Sequence, residues 1–296
     1  MLEVTDLRKS FGDINAVDGV SFGVQQGEAF GLLGPNGAGK TTTISMMVGI
    51  LSPDAGIISV HGEADPTRPA VRRRFGIAPQ SLSLYDNLSA QENLAFFGKL
   101  YGLSGAELKE RVDWALELAS LQDRRKDRVK TFSGGMQRRL NLAAAMVHDP
   151  EVLFLDEPTV GIDPQSRNHI LEQIHQLKAS GLTIIYTTHY MEEAARLCDR
   201  VAIMDHGKLL ALDTVQRLIA AHGGESLVLA ELNQVPQDGA ALPGDLDGTS
   251  LRFQSAEPLA EIGRLTSSGF EFSTLQVTQP DLEAVFLALT GRRLRD

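Results

Sequence analysis

The stretch that decides the fold is Gly34-Pro35-Asn36-Gly37-Ala38-Gly39-Lys40-Thr41, which fits the pattern GxxxxGK[ST]. Just before it, Ala29-Phe30-Gly31-Leu32-Leu33 is an apolar run of strand length. Just after it, Ile44, Met47, Val48 and Leu51 recur at helical spacing. The loop therefore joins a strand to a helix, which a merely Gly-rich turn would not need to do. In that setting glycines let successive backbone N–H groups curl around an anion, the helix start adds about half a positive charge, and Lys40 adds a full one. Thr41 is placed to offer its hydroxyl to a magnesium ion, and Thr42 belongs to the same cradle. The ligand expected here is a nucleoside triphosphate.

At 296 residues the chain can bury a large core, and its length suggests one big domain with a smaller one beside it. A formal net charge of -10 argues against a sequence-independent grip on nucleic acid, which needs a broad basic surface. The basic clusters Arg72-Arg73-Arg74 and Arg292-Arg293-Leu294-Arg295 read as solvated faces or helix ends. The single cysteine, Cys198, closes a helical pattern from Met191 as a small packing residue and fits a reducing compartment. The start does not resemble a signal peptide, and no apolar run approaches the roughly 18 residues needed to span a bilayer. Work at a membrane would need another chain to cross it.

Residues 1–28 read as short β segments, with Val17, Val20, Phe22 and Val24 in partial alternation. Phe11, in the polar surround Lys9-Ser10-Phe11-Gly12-Asp13, has two readings: a loop-packing ring, or a ring that stacks on the nucleotide base. Strands are expected at Ile57–Val60 and Phe75–Ala78. Gln80 follows the second, either as a plain loop glutamine or as a contact to the metal or the attacking water. From about 87 to 149 the pattern turns helical. Ser89 with Glu92 predicts a capping box, followed by Leu94, Phe97, Leu100 and Tyr101 on one face. Ser104 with Glu107 predicts another, ahead of Leu108, Val112, Ala115, Leu116 and Ala119. This insertion serves either contact with another chain or structure alone. Ser133-Gly134-Gly135-Met136-Gln137 opens a third helix, where Ser133 is an N-cap or part of a second anion site.

Val152-Leu153-Phe154-Leu155 is continuously apolar, as expected of a parallel strand buried on both faces, and ends in Asp156-Glu157. Adjacent carboxylates at such a strand end have two readings: a solvent-facing acidic turn, or a pair facing a cation, with Asp156 placed to hold magnesium through water and Glu157 to orient the attacking water. Asp163 and Pro164 then start a helix as N-cap and first residue. Leu182–Thr188 is the next strand, and His189 at its end is positioned to hydrogen-bond a γ-phosphate. Val201–Met204 and Lys208–Ala211 form a hairpin about His206-Gly207. Beyond Gly223-Gly224 come a strand at Leu227–Leu232, a Gly/Pro/Asp-rich loop to Gly248, a strand at Leu251–Phe253, a helix at Pro258–Leu265 and a strand at Phe270–Val277. A last helix is expected with Thr278 and Asp281 as its capping box, ending at Gly291. This tail reads as a regulatory or dimerising module with no catalytic constellation.

Over about residues 1–220 the chain resembles the ATP-binding subunit of an ABC transporter. GPNGAGKT, Gln80, FSGGM at Phe132–Met136, VLFLDEP at Val152–Pro158, Gly161-Ile162-Asp163 and His189 occur in that family's order. The signature departs from the commoner LSGGQ at Phe132 and Met136. FSGGM, Phe11-Gly12 and the tail PDLEAVFLALTGR resemble the drug-, antibiotic- and polysaccharide-export branch, typified by daunorubicin-resistance ATPases. The resemblance implies an α/β P-loop NTPase of the ABC type, with an N-terminal antiparallel β subdomain, an inserted helical subdomain and a small C-terminal α/β domain. The expected domains are 1–222 and 225–296.

The resemblance further implies ATP and Mg2+ as ligands and a head-to-tail dimer. Each ATP would lie between Lys40 of one copy and Ser133, Gly134 and Gly135 of the other, with Asp163 reaching across. Glu157, His189, Gln80 and Lys40 would carry the chemistry, and Thr41, Gln80 and Asp156 the metal. Gln80 and the helical subdomain would relay the motion to a separate transmembrane permease, which would hold the chain at the cytoplasmic face of the membrane. No nucleic-acid partner is expected. A soluble ABC-type ATPase remodelling a nucleoprotein complex is the rival; such proteins usually carry two cassettes or a long coiled coil, and this sequence has neither. A nucleotide-gated module that hardly hydrolyses sits poorly with intact Glu157 and His189.

Overall fold

A computed structural model of the chain describes residues 1–63, 65–236 and 242–292. Contacts divide it into two units, Met1–Thr214 and Val215–Asp296.

The first unit opens with β1 (Leu2–Phe11) and β2 (Ile14–Val24), a long hairpin in place of the short segments expected. Then come β3 (Ala29–Leu33), α1 (Lys40–Met47) and β4 (Ala55–Val60), the last pairing antiparallel with β1 to complete a three-stranded sheet. After α2 (Pro69–Arg72) and β5 (Phe75–Ala78) the chain turns helical in α3 (Ala90–Leu100), α4 (Gly105–Leu118) and α5 (Gly134–Met146). It returns as β6 (Val152–Asp156), α6 (Pro164–Ala179), β7 (Thr183–Thr188), α7 (Met191–Leu197), β8 (Arg200–Asp205) and β9 (Lys208–Thr214).

Six strands form one sheet in the order β5-β6-β7-β3-β8-β9, parallel throughout except for β9. Strands β3, β6 and β7 are buried at every residue, which explains the continuous apolar stretches Ala29–Leu33 and Val152–Leu155. This order fixes the site. Because β6, β7 and β3 are neighbours, their carboxyl ends bring Glu157, His189 and the phosphate loop together, and β5 adds Gln80 from the side.

The helical insertion has its own core, with Leu94, Val112, Leu116, Leu140 and Val147 buried together. Ser89 and Glu92 form the expected reciprocal cap of α3. Ser104 precedes α4 as expected but makes no side-chain cap bond. Arg111 on α4 instead secures the end of α5, donating to the carbonyls of Val147 at 3.0 Å and Met146 at 2.8 Å, groups a helix end leaves without partners.

The second unit comprises α8 (Val215–His222), β10 (Ser226–Leu232), β11 (Asp245–Asp247), β12 (Ser250–Ser255), α9 (Pro258–Ser267), β13 (Phe272–Thr278) and α10 (Leu282–Thr290). Its antiparallel sheet runs β11-β12-β10-β13 and buries Val228, Ala230, Leu251 and Phe253 with Leu265 of α9. Three expectations change. Helix α8 packs on α10, so the first unit ends at Thr214 rather than 222. The short strand β11 lies where a loop was expected. Thr278 does not cap α10, because it pairs with Leu227 in the sheet, and Asp281 alone accepts from Ala284 N at 3.0 Å. Gly291, in the left-handed region at φ 71°, ends that helix. Residues 293–295 of the C-terminal basic cluster lie outside the described residues. Among the described residues no helix is long and apolar enough to cross a membrane.

His148, just past α5, stacks on Tyr101 with ring centroids 3.4 Å apart, and its Nε2 donates to the Phe75 carbonyl at 3.0 Å. Its Nδ1 has no partner among the described residues. Burial lowers its pKa to about 4, so the unfolded chain takes up a proton more readily than the folded one. The stability due to neutral His148 is therefore complete above about pH 6.5 and lost as pH falls toward about 4. We expect His148→Phe, which keeps the ring stack, to lose less melting temperature than the wild type between pH 7 and pH 4.5 (roughly that window). Parallel melting curves for the two proteins would rule this out.

Candidate functional site

The phosphate loop is shaped by what its glycines allow. A Cβ on Gly34 would lie 2.2 Å from the Met204 carbonyl of β8, and one on Gly39, at φ 103°, would lie 2.3 Å from the Ala16 carbonyl of β2. Only glycine permits those approaches. Gly37 also has a positive φ, of 81°, but faces open space. The β8–β9 turn braces the loop from below, with Gly207 N donating to the Ala38 carbonyl at 3.1 Å. Above the loop opens a cleft of about 680 Å³, lined among others by Phe11, Asn36, Lys40, Thr42, Gln80 and Glu157. The Phe11 ring is half-exposed at this cleft, with the Lys9 ammonium 5.8 Å from its centroid.

At the floor, two opposite charges are buried together. Lys40, 4% exposed, donates to the carbonyls of Gly34 at 2.7 Å and Pro35 at 3.1 Å, and lies 3.1 Å from Glu157 Oε1. Glu157 occupies the left-handed region at φ 47°, and its N–H donates to Thr187 Oγ1 at 3.0 Å. Gln80 Nε2 reaches Glu157 Oε2 at 3.4 Å. His189 Nδ1 lies 3.4 Å from the same oxygen, close enough to attract it but misaligned, so it has no hydrogen-bond partner among the described residues. Beside them Thr41 Oγ1 donates to Asp156 Oδ1 at 3.2 Å, and Thr187 Oγ1 donates to that oxygen at 2.6 Å. Thr41, Asp156 and Gln80 share the wall of an adjoining hollow. These are hard oxygen donors, the set magnesium prefers alongside phosphate and water.

The remaining site candidates gather elsewhere, where α5 and α6 begin. Ser133 Oγ caps α5 by accepting from Met136 N at 3.3 Å, which is the N-cap reading. A Cβ on Gly135 would lie 2.1 Å from Ser166 Oγ, so the two helix starts are in contact there, while Gly134 faces open space. Asp163 caps α6 by accepting from Ser166 N at 2.9 Å, and that backbone bond holds its carboxyl below the usual range. None of Ser133, Gly134, Gly135 and Asp163 lines the nucleotide cleft. Sequence reasoning passed over Arg138 of α5, which donates to the carbonyl of Gln80 and ties the signature helix to that loop. It also passed over Thr187, whose hydroxyl serves both Asp156 and Glu157. Neither has a local pattern to mark it.

Residues 17–160 match the family described as ABC transporter. The chain is 45% identical to the linearmycin resistance ATP-binding protein LnrL of Bacillus subtilis, with 100% of both chains covered. It is 41% identical to the Nod factor export ATP-binding protein I of Cupriavidus metallidurans, over 100% of this chain and 99% of that one. The solved structure of an ATP-binding subunit of an ABC transporter superimposes with a TM-score of 0.68 at 34% identity, covering 75% of this chain and 93% of that one.

The contrast among the glycines is testable. Gly37→Ala should cost only the left-handed backbone strain, about 1–2 kcal/mol. Gly39→Ala adds a clash with backbone and should abolish measurable ATP binding in a calorimetric titration. Comparable affinities for the two variants would contradict the close approach as the reason for Gly39.

Proposed function

We propose, for a chain that belongs to the family of ABC transporter ATP-binding proteins and is an ATPase of that kind, that its hydrolysis drives export through a separate membrane-spanning permease. The chain would sit at the cytoplasmic face of the membrane, held there by that permease. The observation that carries the hydrolytic part is the convergence of Lys40, Glu157, Gln80 and His189 at the carboxyl ends of adjacent parallel strands. Export is supported by the relatives, one a linearmycin resistance ATP-binding protein and the other a Nod factor export ATP-binding protein.

In the proposed mechanism the triphosphate lies over the glycine loop, its charge met by the loop N–H groups, the start of α1 and Lys40. Phe11 takes the base. Incoming phosphate competes with Glu157 for Lys40, which frees the Glu157 carboxylate to orient and polarise water, while His189 and Gln80 contact the γ-phosphate side. Thr41 and Asp156, with Gln80, would hold Mg2+, which would neutralise phosphate charge during the transfer.

Two copies would face head to tail. Ser133, Gly134 and Gly135 of one copy, remote from their own cleft, would complete the cleft of the other, and Asp163 would reach across the same interface. A twofold axis makes the two sites equivalent. Binding of ATP closes the pair and hydrolysis lets it open. Arg138, linking the signature helix to Gln80, gives a direct route from that motion to the helical subdomain that would meet the permease. The second unit takes an accessory part in dimer or partner assembly.

Glu157→Gln should retain ATP binding, lower turnover by about 10²–10⁴-fold and accumulate an ATP-bound dimer. Unchanged steady-state hydrolysis would exclude the assigned base. If scattering shows no dimer with Mg-ATP even beside the permease, the head-to-tail arrangement fails. Lys40→Ala should weaken nucleotide binding itself, and wild-type affinity in a titration would count against the cradle.

A further inference from the structure

Away from the cleft, α7 carries Glu193, whose side chain is 1% exposed and whose two oxygens each accept two hydrogen bonds. Oε1 accepts from Thr159 Oγ1 and Arg167 Nε, both at 2.7 Å. Oε2 accepts from the Tyr186 hydroxyl at 2.7 Å and from Thr188 Oγ1 at 2.8 Å. The four donors come from three separate segments: the turn just past Glu157, helix α6, and strand β7. Burial, with this carboxylate against it, raises the Tyr186 pKa well above that of a free phenol, so Tyr186 remains a donor at neutral pH.

The network surrounds His189 without touching its ring nitrogens. Thr188 Oγ1, while donating to Glu193, accepts from Tyr190 N at 2.9 Å, so the residues on both sides of His189 are fixed. The Arg167 guanidinium, held by Glu193, lies 4.4 Å from the Tyr190 ring centroid, and the Tyr190 and His189 rings are 4.2 Å apart. His189 Nδ1 has no hydrogen bond of its own among the described residues, so its neighbours set where the imidazole stands. Thr159 is two residues past Glu157 and four before Asp163, which ties the same carboxylate to the turn bearing the base. Helix α7 already anchors itself through buried Ala194 and Leu197, so a network this dense is more than attachment requires.

We infer that Glu193 is a positioning residue for ATP hydrolysis: its four hydrogen bonds hold His189 and the turn after Glu157 at the distance the γ-phosphate chemistry needs. The inference rests on the hydrolytic roles proposed above for His189 and Glu157. Glu193→Gln keeps the shape but removes the charge and puts an amide donor where a carboxylate oxygen accepted, so hydroxyls that donate must turn to accept and the charge-assisted clamp weakens.

The test measures steady-state hydrolysis by the full-length chain with Mg-ATP for wild type, Glu193→Gln, His189→Ala and the double variant, with Glu157→Gln as the control for the base. Glu193→Gln should lower kcat at least about 10-fold with KM for ATP within about twofold. The double variant should fall below His189→Ala by less than the full Glu193→Gln loss, because part of that loss runs through the same imidazole. A kcat within twofold of wild type, or losses that multiply in the double variant, would overturn the inference while leaving the Glu157 result standing. Should Glu193→Gln fail to fold, Thr188→Val, which removes one of the four donors and keeps the side-chain shape, must show the same split between kcat and KM. A second readout needs no turnover: the ¹³C-labelled His189 resonance, identified by its loss in His189→Ala, should shift in Glu193→Gln or Thr188→Val, and an unmoved resonance would sink the proposal.

Discussion

The Lys40–Glu157 pair is the constraint around which the first unit is built. A full positive and a full negative charge stand 3.1 Å apart with almost no exposure to water. Neither could be buried alone, since stripping one partner from such a pair leaves an uncompensated charge at a cost of about 3–5 kcal/mol. The rest of the floor reduces that cost: two carbonyls on Lys40, and the Gln80 amide on the Glu157 carboxylate. On the proposed reading this pairing is also a safeguard. Without phosphate the cation and the base quench each other, and only an anion able to compete for Lys40 releases Glu157 to act on water.

Holding that pair demands close backbone approaches that the sheet order supplies. Strand β8 passes behind Gly34 and β2 behind Gly39 closely enough that a single methyl group would displace the loop. The β8–β9 turn then bonds the Ala38 carbonyl. The antiparallel sheet contributes more than cover, because β2 carries the carbonyl that fits against Gly39 and β1 carries Phe11 to the cleft. Arg138 extends the chain of contact from the cleft edge to the helical insertion, through the backbone at Gln80 rather than through its amide.

What the sequence reveals follows the range of the forces involved. The phosphate loop, the buried parallel strands and the Ser89–Glu92 cap depend on residues within a few positions, so their patterns are legible. Thr278 looked equally capable of capping a helix, but its pairing with Leu227, about fifty residues away, settles the matter. Helix α8 likewise reads as the close of the first unit until its packing partner α10 is known. In the site, Lys40, Glu157, Gln80 and His189 are legible because each stands at the end of a recognisable strand or loop. Thr187, Arg138 and Glu193 are not, since a threonine inside a strand or a glutamate on a short helix acquires its role only from what folds against it.

The two readings of Ser133 are compatible once its atoms are counted. A serine hydroxyl has two acceptor lone pairs and one donor. Capping α5 uses one lone pair, on Met136 N. The hydroxyl hydrogen stays available, and the first-turn N–H groups of a helix have no partners within it. Gly134 adds no side chain in front of them and faces open space. The cap therefore holds the hydroxyl oxygen at the helix start and leaves its hydrogen free, and on the proposed reading a phosphate held by a second copy would receive it. The same hydrogen bond that begins α5 is what would make it a half-site.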